Sequence, residues 1–103
     1  MRQFDVFRNP SEASLPFAPF VLVLQSDLTI TKSTVVVAPL VVQSRLPEHS
    51  KLFPRLKVGS RQLVLSTSEL AAIGRSFLKS RAGNLGADRD RIIAALDLLF
   101  TGV

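Results

Sequence analysis

The chain contains no cysteine, no tryptophan, no tyrosine and one histidine. Without cysteine there is no disulfide, no thiolate nucleophile and no sulfur-based zinc site, and a reducing cytoplasm is the expected setting. The single histidine, His49, sits between Glu48 and Ser50 in a polar stretch. Sequence neighbours do not make a triad, whose members converge in space, so a solvated loop histidine is expected. No apolar run approaches the length of a bilayer span, and the first residues carry Arg2, Asp5 and Arg8 instead of a continuous apolar leader. Neither secretion nor membrane insertion is expected. The five glycines, at 59, 74, 83, 86 and 102, never form a phosphate-cradling loop followed by Lys and Ser or Thr. No cluster has metal-ligand spacing, so no catalytic residue, metal ion or cofactor is assigned.

What is present points to a small binding protein. The 103 residues are 47% apolar, and the mean hydropathy is +0.30. That length allows one domain, residues 1–103, with one core. A domain this small exposes much of its surface, and so apolar a composition leads us to expect a homodimer. The seven phenylalanines offer modest stacking potential, and Phe4, Phe7, Phe17 and Phe20 are expected in the core or a dimer interface. Thirteen Lys and Arg against eight Asp and Glu give a net charge of +5, which favours acidic partners. The cations are scattered, and their densest group holds only Arg75, Lys79 and Arg81. A solvated basic face fits that spread better than a nucleic-acid footprint.

The hydropathy pattern reads as mainly β. Gln3 to Phe7 alternates as an opening strand; Arg8 to Pro19 is a mobile loop or irregular hairpin; Phe20 to Leu24 is an apolar run of strand length. Val35 to Val42 is the most strand-like segment, although Pro39 cannot donate to a ladder and implies an edge, a bulge or a strong bend. A second exposed loop spans Arg45 to Lys51. Leu56 to Val58 and Gln62 to Leu65 flank Gly59 and Ser60 as a tight hairpin. Ser66 and Glu69 have capping-box spacing, which predicts a short helix over Leu70 to Ile73, stopped by Gly74. Phe77 and Leu78 suit a last short strand, with Gly83, Asn84 and Gly86 in the following turn. The sum is about five strands, a short internal helix and a C-terminal helix.

That last helix is the strongest functional signal. Asp88 and Asp90 stand in its first turn, where negative charge suits the macrodipole, and no Pro or Gly intervenes before Gly102. Ile92, Leu96 and Leu99 fall on one stripe, with Ile93, Leu96 and Phe100 on the next. One stripe suffices for the protein's own core. The other, with the ending Leu99-Phe100-Thr101-Gly102-Val103, is expected to meet a partner.

Several segments, in order, resemble the CcdB family of toxins: Gln3-Phe4-Asp5-Val6-Phe7, Val23-Leu24-Gln25-Ser26-Asp27, Val37-Ala38-Pro39-Leu40, Leu52-Phe53-Pro54, Val58-Gly59 and the ending just quoted. The resemblance spans almost the whole chain. It implies an SH3-like barrel with a C-terminal helix, forming a symmetric homodimer. It also implies a plasmid-maintenance toxin that acts without catalysis, wedging into the A subunit of DNA gyrase and trapping that enzyme on cleaved DNA. By position, the gyrase-facing surface would hold Ser26, Leu28, Ile92, Asp97, Phe100, Thr101, Gly102 and Val103. A CcdA-like antitoxin with an acidic, disordered tail would neutralise the dimer at Arg8, Asn9, Ser11, Glu12 and Ser14, and at Arg45, Glu48, His49 and Lys51. Operator DNA would be bound only by the toxin-antitoxin complex, which represses its own operon. One departure stands out: Thr101 occupies the place of a family Trp that stacks on a gyrase arginine. Such a desolvated stack is worth about 1 to 2 kcal/mol, which Thr cannot supply. Asp97 also replaces an amide on the same face.

The same barrel hosts ribonuclease toxins of the MazF and Kid type, for which Arg8, Glu12 and His49 are the available acid-base and cationic groups. The ending resembles the gyrase-directed branch more closely. A third possibility is a non-toxic homologue that only binds antitoxin.

Overall fold

A computed structural model describes residues 1–43 and 51–103. Seven strands, β1 (Asp5–Arg8), β2 (Phe20–Val23), β3 (Thr34–Val41), β4 (Arg55–Val58), β5 (Arg61–Leu65), β6 (Ala71–Gly74) and β7 (Arg81–Asn84), precede one helix, α1 (Arg89–Thr101). The strands form one antiparallel sheet in the order β4-β5-β3-β2-β1-β7, with β6 also paired to β3. The sheet curls into a half-barrel with the helix at its C-terminal end, consistent with an SH3-like barrel. Among the described residues no helix is long and apolar enough to cross a membrane.

Strand β3 organises the sheet. Along one flank it pairs with β2, Val21 opposite Pro39. On the other flank β6 pairs with Thr34–Val37 and β5 with Leu40–Val41. Pro39 stands at the fork between these two partners. Its carbonyl accepts from Ser66 N at 2.9 Å, and since N and C=O of one strand residue point to the same flank, its missing donor faces the fork. The proline is therefore not in an edge strand; it lies where a full ladder is already interrupted.

Alternation along the strands separates two apolar faces. Val6, Leu22, Ala38, Leu40, Leu56, Leu63 and Leu65 pack with Phe4, Leu24, Leu85 and Ile92 of α1 in the main core. Phe7, Val21, Val23, Val35, Val37 and Leu78 cluster separately.

Two expectations are corrected. Residues 70–73 are not helical: Ala71–Gly74 is strand β6, and among the described residues the only internal helices are single 3-10 turns at Glu12–Ser14, Arg75–Phe77 and Gly86–Asp88. The Ser66–Glu69 pair does form, with Ser66 Oγ donating to Glu69 Oε1 at 2.7 Å and Glu69 N to Ser66 O at 3.0 Å. These bonds close a turn, after which pairing with β3 outweighs the local helical preference of a segment too short to nucleate a helix. The last strand lies later than expected: Phe77 is in a 3-10 turn, and Gly83 and Asn84 belong to β7. The hairpin at Gly59 and Ser60 forms as read, with Gly59 at φ 63° supplying its left-handed position.

Asp5 ties β1 to β7. Its nearly buried carboxylate accepts from Arg2 N at 2.8 Å, Asn84 Nδ2 at 3.0 Å and Arg81 Nε at 3.1 Å. Burial works against the charge, but the bonds from Asn84, the Arg2 amide and Arg81 outweigh it and hold the carboxyl below its ordinary value. A depressed folded-state pKa stabilises above the unfolded value and loses that contribution as pH falls through the folded one. Asp5→Asn should be less stable near pH 7 and lose less further stability than wild type between about pH 5 and pH 2 in urea titrations. Parallel acid limbs would exclude this role.

Candidate functional site

The helix is anchored at its start and along one face. Arg91 pairs with Asp88 at 3.2 Å and donates to Arg55 O at 2.6 Å, tethering the first turn to β4. Ile92 and Ala95 are wholly buried, and Ile93 and Leu96 pack against the main core. Phe100 breaks away: its stripe neighbours Ile93 and Leu96 face the core, while its ring is 69% exposed. Asp97, Thr101 and Gly102 are also exposed, and Val103 is 78% exposed. Gly102 ends the helix in the left-handed conformation at φ 77°, its N–H donating to Leu98 O at 3.1 Å. The hydroxyl of Thr101 turns back to Asp97 O at 2.7 Å, so that donor is used inside the helix.

Ile92 differs from the rest of the gyrase-facing set. It is a core residue that fixes the helix and offers no surface of its own.

Ser26 and Leu28 lie in the turn after β2. Ser26 Oγ accepts from Leu28 N at 3.2 Å, and Ser26 O accepts from Thr29 N at 2.9 Å. Asp27 Oδ1 accepts from Gln3 N at 2.6 Å. The half-buried Ser26 thus builds the turn, and Leu28 at its tip is 95% exposed. Among the described residues no hydrogen bond or ion pair joins this turn to the end of α1.

The Arg8 to Ser14 segment is the irregular hairpin of the two alternatives. Asn9 is buried, donating to Ala18 O at 2.8 Å and accepting from Ser11 N at 2.9 Å. Ser11 Oγ lies 3.1 Å from Ser14 Oγ, and Arg8 and Glu12 form an exposed pair at 3.6 Å. Asn9 therefore holds the loop, while Arg8, Ser11 and Glu12 are its accessible members. Lys51 is exposed; Arg45, Glu48 and His49 lie outside the described residues. Of the ribonuclease candidates, Arg8 and Glu12 form this exposed pair, and His49 lies outside the described residues. Among the described residues no three His, Cys, Asp or Glu side chains gather where they would hold a metal ion.

Sequence reasoning missed a cavity of about 370 Å³ beside this hairpin, bounded by Asn9, Ser14 and Phe17 on one side and by Val21, Val37, Pro39, Ala71 and Ile73 of the sheet on the other. It depends on β6 being a strand, which local propensity concealed. The buried Asp5 was visible only as a charge inside an apolar alternation.

The curled sheet and the C-terminal helix with its exposed apolar end define a small SH3-like barrel fold. The family described as CcdB protein matches residues 3–102, and the chain belongs to that family. It is a toxin of the CcdB type, a component of a toxin-antitoxin system. Comparison with curated proteins finds no match.

The two faces of α1 should separate in mutational cost. Ile92→Ala is expected to lose about 3 kcal/mol through the cavity it leaves, whereas Phe100→Ala should stay within about 0.5 kcal/mol in chemical denaturation. Equal losses would mean that the Phe100 ring is buried.

Proposed function

We propose that this chain is one toxin domain, residues 1–103, that inhibits DNA gyrase by binding its A subunit without catalysis. The observation that carries this reading is the anchored helix end: Asp97, Phe100 and Thr101 of α1, and Gly102 and Val103 just beyond it, are all exposed, while the opposite face of the helix is core. An apolar ring beside an αL cap is a shaped anchor of the sort that fills a partner's pocket. The protein works as a cytoplasmic homodimer, and Leu28 adds a second exposed apolar contact. An acidic, disordered CcdA-like tail neutralises it at the accessible Arg8, Ser11 and Glu12 and at Lys51, favoured by the net charge of +5. The complex of the two then binds operator DNA.

Thr101 sets the strength of the poison. Its side chain has no aromatic face, and its hydroxyl is already satisfied by Asp97 O. It contributes little to a partner, which favours an attenuated toxin over a potent one. Purified protein, gyrase, ATP and supercoiled plasmid should yield little linear DNA after the enzyme is denatured, and Thr101→Trp should raise the yield about tenfold, the equivalent of about 1.4 kcal/mol of stacking. No cleavage by either protein would refute gyrase poisoning.

A further inference from the structure

Leu28 is 95% exposed, so the tip of its turn buries almost nothing, yet side chains outside that tip tie the turn to the barrel. Gln25 makes the first tie. The rung after Val23 and Val37 is Leu24 with Val36, and in a regular antiparallel ladder one of every two such pairs exchanges two main-chain bonds. Here Leu24 N donates to Val36 O at 3.0 Å. Val36 N, however, donates to Gln25 Oε1 at 2.9 Å, and Leu24 O accepts from Gln3 Nε2 at 3.0 Å. The Gln25 amide thus takes the place of half a rung, while its Nε2 donates to Thr29 O at 2.7 Å. One side chain thereby joins the far end of the turn to β3. Asp27 makes the second tie: its Oδ1 accepts from Gln3 N at 2.6 Å, and its Oδ2 faces Arg2 Nε at 3.7 Å. Ordering a surface turn costs conformational entropy, and the exposed tip returns none of it by burial. What the order supplies is an apolar side chain aimed before a partner arrives.

We propose that Gln25 and Asp27 are positioning residues for target binding: they hold Leu28 in the orientation that meets the gyrase A subunit, a role that rests on the gyrase reading for its target. The bonds inside the turn, from Thr29 N to Ser26 O and from Leu28 N to Ser26 Oγ, shape it locally without orienting it against the sheet. Among the described residues no hydrogen bond or ion pair joins the turn to the end of α1, so the helix does not aim it. Orientation falls to the two ties that cross to other elements. Both reach firm ground. Val36 lies inside β3, flanked by β2 and β6. Gln3 precedes Phe4, whose N–H donates to Val23 O at 2.7 Å and whose ring is buried in the main core. Phe4 and Leu24 pack in the same cluster as Ile92 of α1. The two exposed apolar contacts, Leu28 and the end of α1, are therefore referred to one rigid frame, and their spacing is set without any direct bond between them.

Calorimetric titration with the isolated gyrase A subunit separates aiming from general stability, with circular dichroism in urea to verify that each variant is folded. Leu28→Ala should weaken binding about tenfold, and Gln25→Ala about fivefold through lost preorganisation. Because Gln25 acts through Leu28, the double variant should bind about as weakly as Leu28→Ala alone, instead of showing the product of about fiftyfold. A side chain that only stabilised the fold would lower binding by the same factor with or without Leu28. The second tie gives an independent check: Asp27→Ala should cost about fivefold, while Asp27→Asn, which keeps an acceptor for Gln3 N, should bind like wild type. Multiplying losses, binding unchanged by Leu28→Ala or by Gln25→Ala, or Asp27→Asn as weak as Asp27→Ala would overturn the positioning role and leave the gyrase reading standing. No heat of binding from the wild type overturns both.

Discussion

Pro39 donates no hydrogen bond, and β3 carries it at the one place where that costs nothing. The strand holds β2 along one flank and divides the other between β6 and β5. A straight, fully paired strand would need a donor at residue 39; a forked one does not. Once the flank divides, β5 and its hairpin partner β4 turn over the main core, while β6 continues the sheet in another direction. Leu56, Leu63 and Leu65 can then meet Val6, Leu22 and Ile92. The curl that gives the half-barrel its interior and the open strand edge at Ala71–Gly74 are two results of the same fork.

The helix depends on that interior. A 13-residue helix has little stability alone, and its persistence here comes from burial of Ile92 and Ala95 and from the Arg91 tether to β4. With the first three turns fixed, the direction of the last turn is fixed too, and Phe100 and Val103 are held in water. A pre-positioned apolar group loses little entropy on binding. On the proposed function, the chain acts through a shape that is rigid before the partner arrives. On the same proposal Thr101 lowers potency without unfolding the protein. The position is exposed, so replacing an aromatic there removes contact area from the complex and leaves the fold intact.

Much of this was legible in the chain, and the rest was hidden for identifiable reasons. The Phe20–Val23 run, the Gly59 hairpin and the Asp88-to-Gly102 helix each have strong local determinants, and they fold as their residues indicate. The CcdB-type order of segments pointed to the family that the comparison bears out. Ala71–Gly74 misled because Ser66 and Glu69 bond to each other in either setting, and only the presence of β3 alongside decides for a strand. Phe77 looked like a strand residue because its ring is apolar, yet its place over Gly74 is set by a turn. Ile92 was assigned to a binding surface by position within the family pattern, and the two helix stripes left open which of them faces the core; burial puts Ile92 there. The cavity and the Asp5 network join residues far apart in sequence, and no local pattern encodes such meetings.

The central claim is that the exposed end of α1 is the part that grips gyrase. Titration of the isolated gyrase A subunit into wild-type protein and into a chain ending at Leu99, with circular dichroism to verify that both are folded, addresses it directly. The account predicts heat of binding from the wild type and none from the shortened chain. Equal binding by the two, or none by the wild type, would contradict it.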